Sequence, residues 1–122
     1  MQAGPRILVV DDDEVLLDIV AIALRDEGYL VTVAKDGEEA LHVLFEESVS
    51  VVLSDIQMPN LSGLDLLSKM RSSDMGIRVI LMTGESSESL FDRALYEGAF
   101  NFIQKPFQKE TLIEIVQEAF ES

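Results

Sequence analysis

A chain of 122 residues with 48% hydrophobic content suits a single domain that hides roughly two-thirds of its unfolded surface. Its 23 acidic residues against 9 basic ones give a formal charge of −14, which disfavours non-specific attraction to nucleic acid or to anionic lipid. The absence of cysteine excludes a disulfide framework and a thiolate metal site, and Ile7 to Val10 is too short an apolar run for a signal peptide or membrane span, so the reading is a soluble, cytoplasmic domain.

Arg6-Ile7-Leu8-Val9-Val10 reads as a buried strand that ends abruptly in Asp11-Asp12-Asp13. Leu16, Ile19, Val20, Ala23 and Leu24 follow at helical spacing and predict a helix with that stripe inward, terminated by Gly28. Tyr29 to Ala34 is β-prone, and Asp36-Gly37-Glu38-Glu39 opens a second helix with a capping side chain and a glutamate three residues later. The inward face of that helix is Ala40, Val43 and Leu44, while His42 falls on the polar face, away from the partners that a metal or catalytic histidine needs.

Val51 to Pro59 is the organising stretch, an apolar strand that stops at one carboxylate, Asp55. Pro59 forbids an immediate helix, and Asn60, Ser62 and Gly63 prolong the loop. Leu64, Leu67 and Met70 mark a third helix fraying at Ser72 to Gly76; Arg78 to Met82 is the fourth strand, ending at Thr83-Gly84. A fourth helix is expected from about Ser87, carrying Phe91, Ala94 and Leu95 inward and stopping at Gly98. Asn101 to Gln104 is a short fifth strand before Lys105-Pro106, and Leu112, Ile115, Val116, Ala119 and Phe120 form the stripe of a last helix. Five apolar strands alternating with five helices predict an α/β fold with one doubly wound parallel sheet covered on both faces.

Topology turns this succession into a site. In a doubly wound sheet all carboxyl ends share one edge, so Asp11, Asp12, Asp55, Thr83 and Lys105 should converge. Clustered carboxylates suit Mg²⁺, an ionised Asp55 is a competent nucleophile, and the Thr83 hydroxyl with the Lys105 ammonium can bind phosphoryl oxygens. Gly84 leaves room for an approaching phosphoryl group.

From Ile7-Leu8-Val9-Val10-Asp11-Asp12 through Ser54-Asp55-Ile56-Gln57-Met58-Pro59 and Met82-Thr83-Gly84 to Gln104-Lys105-Pro106-Phe107, the chain resembles the receiver domains of two-component response regulators. That resemblance implies a flavodoxin-like sheet of order 2-1-3-4-5. It implies Asp55 as phosphoacceptor, Asp12 and Asp55 with the Gln57 carbonyl as direct Mg²⁺ ligands, Asp11 acting through water, and Thr83 and Lys105 on the phosphoryl group. Phe102 stands where the family keeps a rotating aromatic, Gln57 and Glu85 flank the path of an attacking water and should tune lifetime, and the Lys105-Pro106 bond is expected to be cis. The implied partner is a histidine kinase or a His-containing phosphotransfer domain. On this reading residues 1–122 are a receiver that phosphorylates and dephosphorylates itself rather than turning over a separate substrate. Its output is an effector domain beyond residue 122 or a homodimer, reached through the face of helix 4, strand 5 and helix 5.

Two rivals are weaker. Asp11-Asp12-Asp13-Glu14-Val15 also resembles the Asp-x-Asp-x-Val signature of haloacid dehalogenase-like phosphatases, with Asp11 as nucleophile. Those enzymes need an acidic pair on a later strand end, whereas here the acids after Lys105 are Glu110, Glu114, Glu118 and Glu121, spaced along an amphipathic helix, and Asp55 would have no role. A phosphorylation-independent interaction module would have lost one of the site residues, and all are present.

Overall fold

The computed structural model describes residues 5–58, 61–72, 76–84 and 88–121. Strands β1 (Arg6–Val10), β2 (Leu30–Ala34), β3 (Val51–Asp55), β4 (Arg78–Thr83) and β5 (Asn101–Gln104) alternate with helices α1 (Glu14–Asp26), α2 (Gly37–Glu46), α3 (Gly63–Ser72), α4 (Glu88–Tyr96) and α5 (Lys109–Glu121). The strands form one sheet in the order β2-β1-β3-β4-β5, every neighbouring pair parallel. β2 begins one residue later than the expected Tyr29, Ser87 lies outside the described residues, and so do residues 73–75, within the stretch where α3 was expected to fray.

Alternation along each strand sorts the core into two layers. Ile7, Val9, Val31, Val51, Leu53, Ile80, Met82 and Ile103 meet α1 and α5 on one face. Leu8, Val10, Ala34, Val52, Val79 and Leu81 meet α2, α3 and α4 on the other. Both faces are dry, which is why these strands read as unbroken apolar runs rather than as alternating ones. Arg6 ties the edge strand down at the opposite end of the sheet: its guanidinium donates to Thr32 Oγ1 at 2.8 Å and pairs with Glu47 at 3.1 Å.

The helix ends follow from their capping chemistry. Asp13 accepts from the backbone N–H of Val15 and Leu16 at the start of α1. Asp36 accepts from Glu39 N–H at 2.8 Å at the start of α2, with the Glu39 carboxylate reaching back to Lys35 N–H at 3.3 Å. Ser62 and Asp65 make the reciprocal pair at α3, Asp65 N–H to Ser62 Oγ at 3.1 Å and Ser62 N–H to Asp65 Oδ2 at 3.4 Å. Past α1, Gly28 takes a φ of 95°, and Gly28 N–H and Tyr29 N–H donate to the carbonyls of Arg25 and Leu24.

Two inward faces differ from expectation. In α1 the sheet takes Leu17, Val20, Ala21 and Leu24, while Leu16 is half-buried and Ile19 is 59% exposed. Apolar residues run almost continuously from Val15 to Leu24, so the helical template fits in two frames, and only contact with the sheet selects one. In α4, Ala94 alone among the three expected residues is buried; Phe91 and Leu95 are 41% and 46% exposed. An alanine at the contact brings the helix axis close to the sheet and sends its bulkier neighbours out along the flanks. Among the described residues, no helix is long and apolar enough to cross a membrane.

The α1 frame is open to a direct check by urea unfolding. Leu17→Ala should cost about 2–5 kcal/mol through the cavity it leaves, whereas Ile19→Ala should cost about 0.5 kcal/mol or less. The reverse ranking would restore the frame expected from periodicity.

Candidate functional site

The register aligns the strand ends that carry the site. Val10 lies beside Ser54, Asp55 beside Met82, and Thr83 beside Gln104, so the residues just past β1, β3, β4 and β5 emerge at one edge. The three successive aspartates after β1 then divide their work. Asp11 is 1% exposed, with Oδ1 accepting from Asp13 N–H at 2.9 Å and Oδ2 bound to Lys105 Nζ at 2.7 Å. Asp12 faces solvent, and Asp13 caps α1. A dipole-favoured cap and a functional pair thus coexist in one tripeptide.

Asp55 closes β3, 7% exposed. Its Oδ2 lies 3.3 Å from Lys105 Nζ, and its Oδ1 accepts from Gln57 N–H at 3.3 Å. Ile56 N–H continues the sheet pattern to Met82 O at 2.9 Å, and Gly63 N–H donates to Ile56 O at 2.9 Å, so the backbone is held on both sides of the carboxylate's exit from the sheet. Thr83 is fully buried, and its carbonyl accepts from Lys105 N–H at 2.7 Å, which fixes the start of the β5–α5 connection. The Lys105–Pro106 peptide is cis.

Oxygens of Asp11, Asp12 and Asp55 lie within 4.8 Å of one another, a set of hard ligands of the kind that a divalent cation takes. Gln57 is exposed beside this group. Phe102 sits apart from the carboxylates: half-buried on β5, its ring meets Phe91 edge to face, with centroids 5.2 Å apart and planes at 82°. Glu85 lies outside the described residues. A Cβ on Gly84 would meet no atom of the described residues within 4 Å, so none of these makes a steric demand for glycine there.

The glycine that the chain does demand is Gly63, which the sequence reading treated only as loop. A Cβ there would fall 2.3 Å from the Asp55 carbonyl oxygen and 2.9 Å from Ile56 Cα. Its signal in the sequence is a glycine at the first position of a helix, directly after the serine cap, where a better helix former would ordinarily serve.

Burial pushes the Asp55 carboxyl above the usual aspartate range and the charge of Asp11 adds to the rise, which Lys105 and the Gln57 N–H only partly offset. For Lys105, burial pulls the ammonium down, but the hydrogen bond it donates to Asp11 and the charges of Asp55 and Asp11 outweigh it and leave the group above its ordinary value. Both directions describe one arrangement, a cation held by two carboxylates that cannot comfortably both be ionised. Asp11 is the more tightly held of the two buried carboxylates, 1% exposed and 2.7 Å from the ammonium, whereas Asp55 is 7% exposed, with its contacts to Gln57 N–H and Lys105 Nζ both at 3.3 Å.

Comparison with known proteins gives a consistent picture. The family model of the response regulator receiver domain matches residues 7–117. The transcriptional regulatory protein GlrR of Escherichia coli K12 is 36% identical over 116 residues, 95% of this chain and 26% of that protein. The transcriptional regulatory protein FixJ of Bradyrhizobium diazoefficiens is 33% identical over 119 residues, 98% of this chain and 58% of that protein. The chain therefore spans about a quarter to a little over half the length of these two relatives. A CheY-like response regulator receiver domain protein from Methanospirillum hungatei superposes with a TM-score of 0.92 at 34% identity, over 98% of this chain and 95% of that one.

The charge balance sets a pH signature. With its native pKa above the unfolded value, Asp55 binds a proton in the folded state that the unfolded chain has already released. Its contribution to stability in the metal-free protein therefore grows as pH falls through the raised native pKa toward the ordinary aspartate value, and is lost as pH rises. Carboxyl carbon NMR should place Asp55's titration above the ordinary value, and Lys105→Ala should move it further up. An Asp55 titrating at or below the ordinary value in the unmutated domain would overturn this account.

Proposed function

The chain belongs to the response regulator receiver domain family, and we propose that it is a Mg²⁺-dependent phosphorylation switch with Asp55 as the phosphoacceptor. Receiver domains are signalling switches of two-component systems, and the arrangement here accords with that office. One observation carries the specific reading: Asp55, the buried carboxylate that ends β3, has an ammonium 3.3 Å away that it shares with Asp11, and the carboxylates of Asp11 and Asp12 are gathered beside it.

In this proposal a phosphohistidine on a kinase or phosphotransfer domain presents its phosphorus to an Asp55 oxygen. The O–P bond forms as the N–P bond breaks, and the electron pair leaves with the imidazole. Lys105, already within reach of Asp55, shifts its ammonium to a phosphoryl oxygen, and the Thr83 hydroxyl donates to another. Asp12, Asp55 and the Gln57 carbonyl would hold Mg²⁺, with Asp11 acting through water, and the ion supplies charge neutralisation for the carboxylates and the transferring phosphoryl group. Water then attacks the phosphorus, the bond to the Asp55 oxygen breaks, and inorganic phosphate leaves with Asp55 restored as carboxylate, Gln57 and Glu85 tuning the rate.

A surface feature supports a protein donor. Leu16, Ile19 and Ile22 of α1 and Phe107 and Leu112 flank an apolar groove of about 680 Å³ that Lys105 also lines. A donor whose phosphohistidine reaches Asp55 must cover this rim, and the outward face of α1 offers it apolar contact rather than solvated charge.

The output we assign to the α4, β5 and α5 face. Register places Phe102 beside Leu81, two residues along from the Thr83–Gln104 pair, so movement of Thr83 toward a phosphoryl group opens space next to β5. Phe102 has no hydroxyl to anchor it, but its edge-to-face contact with Phe91 can define its resting position, worth about 0.5–1.5 kcal/mol beyond burial. Turning the ring inward breaks that contact and changes α4's exposed surface. The recipient is an effector domain joined in a longer protein, as the lengths of the relatives accommodate, or a second copy. The formal charge of −14 keeps DNA contact and membrane binding out of this domain's own role.

Acetyl phosphate with Mg²⁺ should add one acid-labile phosphoryl group, seen by intact mass, and Asp55→Asn should abolish it; mapping to Ser54 instead would defeat the proposal. Mg²⁺ alone should raise the melting temperature, by preferential binding to the folded state, and Asp12→Ala should remove that rise. For the output, beryllofluoride standing in for the phosphoryl group should shift amide resonances across 88–110 as well as at Asp55. Changes confined to the pocket would exclude the α4, β5 and α5 route.

A further inference from the structure

The phosphoacceptor loop is held by more than its own hydrogen bonds. α2 starts at Gly37, a buried position at which an added Cβ would lie 2.7 Å from Leu61 Cβ and 2.8 Å from both Leu61 Cγ and Cδ2. Carbon atoms in comfortable contact stay about 3.5–4.0 Å apart, so Leu61 occupies the space a side chain at 37 would need. Gly37 shows no left-handed φ, unlike Gly28, Gly76 and Gly98; room for Leu61, not a turn, is what asks for glycine. Two residues after Leu61, Gly63 lies against the Asp55 carbonyl oxygen and Ile56 Cα and donates to Ile56 O.

The α2 side of this contact is stiff. Asp36 caps the helix through Glu39 N–H, Glu39 bonds back to Lys35 N–H, and the Ala34 carbonyl just before them accepts from Asp11 N–H at 3.1 Å. The Leu61 side chain, half-buried, also packs against the core shared by α2 and α3. A fixed helix end, a leucine seated against it, and a glycine laid on the phosphoacceptor backbone form one continuous stack.

We propose that the Gly37–Leu61 contact positions the site: the first turn of α2, through Leu61 and Gly63, sets where the Asp55 and Gln57 backbone stands. Gly37 and Leu61 touch no reacting atom and are positioning residues, not catalytic ones. The inference rests on the reading of Asp55 as phosphoacceptor and assigns to α2 a part in preparing it. Because Leu61 is only half-buried at the margin of the core, substitution should change Mg²⁺ affinity and phosphorylation while leaving a cooperative fold.

The test is a double-mutant cycle on the whole chain with Gly37→Ala and Leu61→Gly, read by melting, by Mg²⁺ titration of amide resonances and by the rate of phosphorylation from acetyl phosphate. Gly37→Ala should weaken Mg²⁺ binding and slow phosphorylation about fivefold or more. With Leu61→Gly already present, where Cβ, Cγ and Cδ2 are all gone, the added loss should shrink to about twofold or less. An equal loss in both backgrounds, or none in Gly37→Ala, would overturn the proposal. Leu61→Ala by itself, which introduces no clash, should move the Asp55 and Gln57 amide resonances of the metal-free protein with a cooperative melt retained. Unmoved resonances would also overturn it, even where Gly37→Ala fails to fold. If the unmutated domain bound no Mg²⁺ and took no phosphoryl group, the phosphoacceptor reading would fall, while those metal-free shifts would still decide the positioning contact.

Discussion

Lys105 holds together two carboxylates that would otherwise repel. In a chain of formal charge −14, placing Asp11 and Asp55 at one strand edge, both almost wholly buried, is expensive unless a cation joins them. The ammonium does so at 2.7 and 3.3 Å. Burial, with the charge of Asp11 added to it, still leaves the Asp55 carboxyl above its ordinary range, and the gathered carboxylates are a set of the kind that a divalent cation takes. In the proposed switch the same ammonium would follow charge onto a phosphoryl oxygen. The pairing of the two carboxylates and the proposed chemistry therefore share one side chain.

The parallel sheet makes this meeting possible. Lys105 and Asp11 are separated by 94 positions in the chain, and no local rule brings them together. Alternating strands and helices return every strand in the same direction, so residues just past different strands gather at one edge. Both faces of the sheet are then consumed by packing, which leaves the edge and the outer faces of the helices for function. α1 shows the consequence: it spends Leu17, Val20, Ala21 and Leu24 on the core and still leaves Val15, Ile19 and Ile22 exposed, the last two lining a groove together with Lys105.

Local chemistry and long-range contact meet in the β3–α3 segment. Ser62 and Asp65 start α3 by a capping pair that any isolated helix could use. Gly63, between them, answers to something else, the closeness of the Asp55 backbone. Gly37 likewise opens α2 where its own helix gains nothing from a glycine, and faces Leu61. In both cases the residue type is explained by what stands opposite, not by the element it belongs to.

How much could be read in advance follows the same division. Continuous apolar runs ending at Asp11 and Asp55, the glycine after α1 and the cap at Asp36 are signals carried within a few residues, and they specified five strands, five helices and an α/β sheet. Given that sheet, its carboxyl edge was enough to gather Asp11, Asp12, Asp55, Thr83 and Lys105. Which face of α1 turns inward was not legible, because apolar residues nearly encircle the helix and periodicity admits two frames; nor was the outward placement of Phe91 and Leu95, since the depth of α4 depends on the small Ala94 it sets against the sheet. The sequence by itself determined the elements and the chemistry available at their ends, because capping, periodicity and charge are local. Only the tertiary structure decided the frame of α1, the division of labour among Asp11, Asp12 and Asp13, the edge-to-face pairing of Phe91 with Phe102, and the demands of Leu61 and the Asp55 backbone for glycine, because each depends on atoms brought close from distant parts of the chain.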